Sequence, residues 1–245
     1  MLIKLNQDFI LYSFSLVFYL FVYLNAEQSS NFDLSFPTYE IQTFSKTTFH
    51  QDLHAFTLAF WMRTRDMDNA GTPVSYSVKR GSYVEENGIV LKDYGNFAIQ
   101  INNKTGYTSD PVNDGQWHHV AVTWSSSDGI WVYYRDGKEI KRASEPLAKG
   151  DFIRGGGEVV LAQEQDWEAT ANRFAYNPLE AFLGDMSQLT LWNKVLSGRD
   201  VYNLAGSCSS AEQDAIVVAW ADFVPGLHGS YKKTEKSHAC DCKFS

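Results

Sequence analysis

Short apolar runs that alternate with polar residues follow one another through most of the chain, between about residues 32 and 223, and turn-forming residues separate them. A period of two is typical of strands with one buried face. The pattern predicts eight strands, at residues 56–62, 88–91, 97–101, 119–124, 130–135, 138–140, 158–162 and 184–192. Many short strands at this spacing predict an all-β protein in which two antiparallel sheets form a sandwich.

Local signals predict one hairpin turn and one helix. Asp136-Gly137 stands between two of the apolar runs, and this dipeptide favours a type I′ turn because both central positions need a positive φ. One short helix is predicted near residues 197–205, where Ser197 is the N-cap and Asp200 stands at the capping-box position. We expect Gly206 to end this helix.

The N-terminal segment is almost wholly apolar over residues 9–24. It is shorter than the roughly 20 residues of a membrane-spanning helix. Lys4 precedes it, and Ala26 follows it as a small residue suited to cleavage. We predict that residues 1–26 are a secretory signal peptide, that the mature protein is secreted, and that residues 27–245 form a single domain. An uncleaved membrane anchor is the alternative.

The three cysteines are Cys208, Cys240 and Cys242. Disulfides are expected after a signal peptide, and the two cysteines of the Cys-Asp-Cys segment are each expected to pair with Cys208 rather than with each other. We predict a Cys208–Cys240 bridge that ties down the C-terminal tail, which leaves Cys242 free or paired between chains. Asn103 begins an N-glycosylation sequon, so we expect a glycoprotein.

The net charge of −8 argues against nucleic acid as a partner, because phosphates select basic surfaces. It is compatible with cation binding. The best candidate for cation chemistry is the polar loop that follows the predicted strand 158–162, where Glu164, Gln165 and Asp166 offer carboxylate and amide oxygens. Ca²⁺ takes about 6–8 oxygen ligands of these kinds. By itself such a loop is more often a solvated surface segment.

Several segments in order change that interpretation, namely residues 71–78 (GTPVSYSV), 114–125 (DGQWHHVAVTWS), 127–131 (SDGIW), 163–166 (QEQD), 182–188 (FLGDMSQ) and 192–197 (WNKVLS). Through them, about residues 50–225 resemble the pentraxin family, in particular neuronal pentraxins and the pentraxin domains of adhesion receptors. Laminin-G-like domains share the Trp-His-His-Val strand but not the Gln-Glu-Gln-Asp loop.

The resemblance implies a flattened jelly-roll sandwich with two calcium ions on one face, and a ligand bound through them. It also implies a ring-shaped homo-oligomer and no enzymatic activity. The calcium ligands that it implies are Glu86, Asn87, Glu164, Gln165 through its carbonyl, Asp166, Asn177 and Glu180. Asn177 stands where the family has Glu, and Glu168 is an alternative to it. Through calcium, we expect the protein to bind a glycan or a phosphorylated, anionic ligand.

Two departures from the family pattern stand out. The resemblance implies a disulfide that bridges the two sheets, but its two positions read Ala59 and Ala121. We expect packing of Trp61, Trp124 and Trp131 to offset part of that loss. Lys92 stands where choline-binding members place an aromatic residue, and a cation there should repel choline.

Three other interpretations were considered. Glu164, Asp166 and Glu168 have the Glu-x-Asp-x-Glu form of a jelly-roll glycoside hydrolase, yet on a regular strand the outer two Cα atoms would lie about 13 Å apart. His118 and His119 cannot share one metal, because neighbouring strand residues point to opposite faces. The chain is alternatively one module of a larger adhesion or receptor protein.

Overall fold

The structure is a computed structural model that describes residues 30–207 and 214–239. A compact domain begins at Phe32. It contains one α-helix, α1 (Gly198–Ser207), and one 3₁₀ helix (Trp220–Gly226) in the described residues. The strands are β1 (Asp33–Phe36), β2 (Phe44–Thr48), β3 (Ala55–Arg63), β4 (Val74–Arg80), β5 (Tyr83–Lys92), β6 (Ala98–Ile101), β7 (Lys104–Tyr107), β8 (His118–Ser125), β9 (Trp131–Arg135), β10 (Lys138–Arg142), β11 (Glu158–Leu161), β12 (Asp166–Glu168), β13 (Arg173–Ala175), β14 (Gly184–Trp192), β15 (Ile216–Val218), β16 (Leu227–His228) and β17 (Lys232–Lys233).

Two antiparallel sheets pack face to face as a jelly-roll sandwich, which confirms the predicted fold class. The first sheet has the order β10-β9-β8-β3-β14-β1-β17, with β15 added beside β14. The second has the order β16-β2-β11-β4-β5-β6-β7, and β12 and β13 form a separate hairpin. All eight predicted strands are present, whereas β4 and eight shorter strands were not predicted, namely β1, β2, β7, β12, β13, β15, β16 and β17.

The alternation along β3 explains why this chain forms a sandwich. Phe56, Leu58, Phe60 and Met62 are buried in the large cluster between the sheets. Ala59, in the same strand, belongs to a second cluster on the outer side of the first sheet. Burial of large apolar side chains at alternate positions is the main stabilising term for such a strand, at roughly 1.5–3 kcal/mol for each side chain.

The predicted turn and helix start are confirmed. Asp136 and Gly137 have φ values of 52° and 74°, as a type I′ turn requires. The Asp200 N–H donates to Ser197 Oγ at 3.2 Å, and the Ser197 N–H donates to Asp200 Oδ2 at 3.0 Å, which completes a capping box. The predicted helix end was wrong, since α1 continues through Gly206 to Ser207.

The positions of the missing disulfide were placed wrongly between the two sheets. Ala59 and Ala121 pair directly across neighbouring strands β3 and β8 of the first sheet. Both are buried on the outer side of that sheet, in the cluster that includes Tyr134 and Trp192. Trp124 faces the other way, into the core between the sheets, so these outer residues rather than Trp124 fill the space around the two alanines.

The two adjacent histidines lie on opposite faces of β8, as the strand alternation predicts. His119 is buried, and its ring meets the Trp61 ring edge-on with centroids 5.4 Å apart. His118 is bonded to the carboxylates of Asp136 and Asp114, at 2.8 Å and 3.1 Å. A shared metal between the two rings is therefore excluded by geometry.

Several predictions fall outside the described residues. The predicted signal peptide at residues 1–26 does so, as do Cys208, Cys240 and Cys242, and their structure is not described. The leader and the Cys208–Cys240 bridge therefore stay predictions. Among the helices that the structure does describe, none has the length and apolar character needed to cross a bilayer.

Candidate metal centre

The polar loop predicted from the sequence lies between β11 and the β12–β13 hairpin. Two buried glutamine side chains anchor it. The Gln163 amide donates to the carbonyl oxygens of Glu40 and Thr43, at 3.2 Å and 3.1 Å. The Gln165 amide donates to Ser75 Oγ on β4 at 3.2 Å and to the Glu158 carbonyl at 3.0 Å. These bonds hold the loop against the outer side of the second sheet.

Glu164 is the most buried carboxylate of the loop, with 3% of its surface exposed. Thr72 Oγ1 donates to its Oε2 atom at 3.0 Å. Lys92 Nζ, at the end of β5, lies 2.9 Å from Oε1 and 3.2 Å from Oε2. A charge so far from solvent needs such partners, because an unpaired buried carboxylate is strongly disfavoured.

Asp166 and Glu180 come together beside Glu164, although fourteen positions separate them in the sequence. The Asp166 and Glu180 carboxyl groups lie close enough for each to change the pKa of the other. Burial raises the pKa of Asp166, and the Glu164 carboxylate raises it further. Burial also raises the pKa of Glu180, followed in effect by the charges of Glu164 and Asp166. The neighbouring negative charges disfavour one another, which is the situation that a bound cation relieves. In the described residues, however, no three His, Cys, Asp or Glu side chains are arranged closely enough to hold a metal by themselves.

Unused acceptor atoms also point to a cation. In the described residues, the buried atoms Gln165 Oε1 and Glu180 Oε2 have no hydrogen-bond partner. Buried acceptors normally have one. Carboxylate and amide oxygens without nitrogen or sulfur ligands suit Ca²⁺ better than zinc. The donor set of Glu164, Gln165, Asp166 and Glu180 thus fits the calcium that the family resemblance implies.

Glu86 and Asn87 lie at an irregularity in β5 where its pairing with β4 shifts. Asn87 has a φ of 54°, and its N–H donates to Ser77 Oγ at 3.2 Å. Its amide donates to Asn103 Oδ1 at 3.1 Å, and the Asn103 amide donates to the Glu86 carbonyl at 3.0 Å. Asn87 Oδ1 is buried without a partner. Hydrogen bonds link these two predicted ligands to the exposed glycosylation sequon, and in the described residues none joins them to the acidic cluster.

Asn177 forms the turn that leads to Glu180. Its Oδ1 atom accepts the Leu179 N–H at 3.1 Å, and its carbonyl accepts the Glu180 N–H at 3.0 Å. Glu168, the alternative ligand, points to Arg173 across the β12–β13 hairpin, with 3.8 Å between Nε and Oε2. In the described residues neither side chain is hydrogen-bonded to the carboxylates of the acidic cluster, and both stay predictions as ligands.

The hydrolase arrangement is not formed. Asp166 and Glu168 belong to β12, but Glu164 precedes the strand and is buried. The acidic partner that Asp166 gains is Glu180, from a different segment. That interpretation needs two carboxylates that flank a sugar at the spacing of a retaining enzyme. It depends on Glu164, Asp166 and Glu168 sharing one face of a strand, and they do not.

Thr72 was not predicted as part of this centre. A threonine alone does not indicate a metal site. The Thr72 N–H donates to the Glu180 carbonyl at 2.8 Å, in a short parallel bridge between Thr72 and Ala181, and this bridge brings Thr72 to Glu164. Sequence spacing carries no trace of that bridge. Lys92 was identified for its effect on choline, but its bond to Glu164 was not predicted.

Comparison with known proteins identifies the family. A profile described as the Pentaxin family matches residues 34–229. The chain belongs to the pentraxin family. The pentraxin domain is 43% identical over 192 residues to "Sushi, von Willebrand factor type A, EGF and pentraxin domain-containing protein 1" of Rattus norvegicus, covering 78% of this chain and 5% of that protein. It is 36% identical over 184 residues to human neuronal pentraxin-2, covering 74% of this chain and 40% of that protein.

A solved structure supports the same fold. The heptameric SAP-like pentraxin of Limulus polyphemus superposes with a TM-score of 0.60 at 24% identity, over 86% of this chain and 98% of that one. The sequence relatives above are much longer, and the chain spans 5% and 40% of their lengths. The pentraxin domain is therefore the part in common.

Proposed function

We propose that this pentraxin domain is a secreted, calcium-dependent recognition module and not an enzyme. The observation that carries the proposal is the meeting of Glu164, Asp166 and Glu180 around buried oxygens that have no partner. Calcium would neutralise the three carboxylates and use the free oxygens. Gln165 would add its carbonyl to the same set.

Two ions are proposed, as in the family that the sequence resembles. Glu86 and Asn87 would complete the first with the Glu164–Asp166 loop, and Asn87 Oδ1 is a buried acceptor available for it. Glu180 and Asn177 would belong to the second. Because Asn177 replaces a carboxylate of the family, the second ion has less ligand charge and should bind more weakly.

The ligand proposed is a glycan or a phosphorylated, anionic group held through calcium. A protein of net charge −8 repels anions by itself, whereas bound calcium locally inverts the field and offers open coordination positions. Lys92 adds a further cation beside the site and disfavours choline. A ring of identical subunits would raise avidity by about 10²–10⁴ without new contacts.

The sequence identity to part of a much larger multidomain protein favours a second possibility. In it, the domain is one module of a longer extracellular receptor or adhesion protein. Its partner would then be a protein, and calcium would matter less. The two possibilities differ in what the isolated domain binds.

Calcium is expected to raise the melting temperature of the domain. At a calcium concentration of 100 times Kd the native state gains about 2.7 kcal/mol, which corresponds to roughly 5–10 °C for a domain of this size. Thermal unfolding in millimolar calcium and in chelator measures the shift. Glu164→Gln and Asp166→Asn should abolish it.

Glu139→Ala is the matched control. Glu139 is an exposed carboxylate on β10 that pairs with Arg142 at 2.6 Å, in the other sheet, so its loss should leave the calcium shift intact. A wild-type domain whose melting temperature and calorimetric signal do not respond to calcium would contradict the proposal.

A glycan and phospholipid array, probed with calcium and with chelator, is expected to give a calcium-dependent signal for anionic or hydroxyl-rich ligands. Light scattering on the same material measures the mass and tests the ring. A monomer that binds no small ligand, yet captures a protein without calcium, would favour the receptor module. Turnover of a β-glucan would contradict the non-enzymatic assignment.

A further inference from the structure

The ammonium group of Lys92 pairs with the Glu164 carboxylate. Its ammonium nitrogen lies 2.9 Å from Oε1 and 3.2 Å from Oε2 of a carboxylate whose side chain is only 4% exposed, while the lysine side chain is 27% exposed. Thr72 Oγ1 bonds the same carboxylate. Both oxygens of Glu164 are therefore engaged by this chain's own donors.

The influence of Lys92 extends over the whole acidic cluster. Burial and the neighbouring carboxylates raise the pKa of Asp166 and of Glu180, and the charge of Lys92 opposes this rise in small part. A lysine at this place therefore partly neutralises the three carboxylates without any metal. A small cavity of about 150 Å³, lined by Lys92 together with Thr72, Glu164 and Glu180, lies at the same spot.

We propose that Lys92 is a specificity-determining residue, a tethered cation that neutralises Glu164 in the metal-free domain and competes with calcium for its carboxylate. The inference rests on the proposed function, because it concerns the same oxygens. Lys92 must release Glu164 before those oxygens are available to the metal. Its presence should thus weaken calcium binding and, at the same time, keep the metal-free domain folded.

Lys92→Met tests both consequences. Methionine is unbranched and only one atom shorter than lysine, and it removes the charge. We expect calcium to bind about tenfold more tightly to the variant in isothermal titration calorimetry, which is the effect of about 1.4 kcal/mol in binding free energy. We expect the melting temperature in chelator to fall by roughly 4 °C, because Glu164 then lacks its counter-charge.

Two controls separate this effect from a general one. Lys104→Met removes a lysine of β7, in the same sheet as Lys92, that pairs with Asp151 at 2.8 Å on the surface, and it should change neither quantity. Lys92→Arg keeps a cation that can pair with Glu164, so its calcium affinity should stay within about threefold of wild type. A Lys92→Met variant that folds only with calcium would also support the inference.

Equal calcium affinities of the wild type and Lys92→Met, or weaker binding by the variant, would overturn the inference and leave the proposed function standing. An unchanged melting temperature of Lys92→Met in chelator would overturn the counter-charge role. If neither protein binds calcium, the proposed function and this inference both fail.

Discussion

Cysteines introduced together at Ala59 and Ala121 are expected to form a disulfide that stabilises the domain by about 4 kcal/mol relative to its reduced form. The two residues are direct partners on β3 and β8. A bridge there closes a loop of roughly 60 residues, and the loss of chain entropy in the unfolded state gives that magnitude. The family resemblance implies cysteines at these positions, so we expect this backbone arrangement to accommodate the bond.

The measurement is the difference in unfolding free energy between the oxidised and reduced double variant. Two added sulfur atoms beside Tyr134 and Trp192 overfill a packed cluster, which costs about 1–3 kcal/mol of stability in such sites. This cost is present in both the oxidised and the reduced form, so it cancels when the two forms of one variant are compared. The double variant Ala59→Ser and Ala121→Ser is the control that cannot bridge at these positions, so its response to reductant measures only the part that the predicted Cys208–Cys240 bridge contributes. Thiols that stay free under oxidising conditions would show that the pairing geometry does not suit a bond.

Between neutral pH and about pH 4, the His119→Phe variant is expected to lose about 3 kcal/mol less unfolding free energy than the wild type. Burial lowers the pKa of His119 to about 4, and the Asp136 charge opposes this only in part. The unfolded chain titrates near pH 6.5. A depressed pKa means that the stabilising contribution is complete above pH 6.5 and is lost as the pH falls from there toward 4. The difference of about 2.5 pKa units gives the magnitude.

Denaturant unfolding at pH 7, 5.5 and 4.5 measures how the free energy of unfolding changes with pH for the wild type and for His119→Phe. Carboxylates contribute equally to both proteins and cancel in the comparison. Phenylalanine retains an aromatic contact with Trp61. The prediction is contradicted if the two proteins lose the same stability over this range.

His118→Gln provides a matched control of opposite sign. The hydrogen bond to Asp136 raises the pKa of His118, against the effect of burial. Its contribution is therefore complete below pH 6.5 and is lost as the pH rises above that value. The variant should lose stability relative to the wild type at low pH, and the difference should shrink toward neutral pH and above.

The candidate metal centre could be predicted only in part from the sequence. Glu164, Gln165 and Asp166 are adjacent, so their oxygens were visible in a single polar loop. Glu180 was assigned through the family resemblance, and its closeness to Asp166 depends on how the segment after β13 returns to the sheet. Thr72 stands in a segment that carries the family resemblance, but nothing in the sequence marked it as a contact of Glu164. Ligands from distant segments cannot be inferred from local spacing, because only the folded chain brings them within bonding distance.

By itself, the sequence determined the local structure of this pentraxin domain. Alternation specified the strands and the core face of β3, because side chains on a strand point to opposite sides. Asp136-Gly137 and Ser197 with Asp200 specified a turn and a helix start through bonds among near neighbours. The tertiary structure alone decided the order of the strands, the pairing of Ala59 with Ala121 in one sheet, and the bond between Lys92 and Glu164. Those contacts join residues far apart in the chain, and their formation depends on the packing of the whole sandwich.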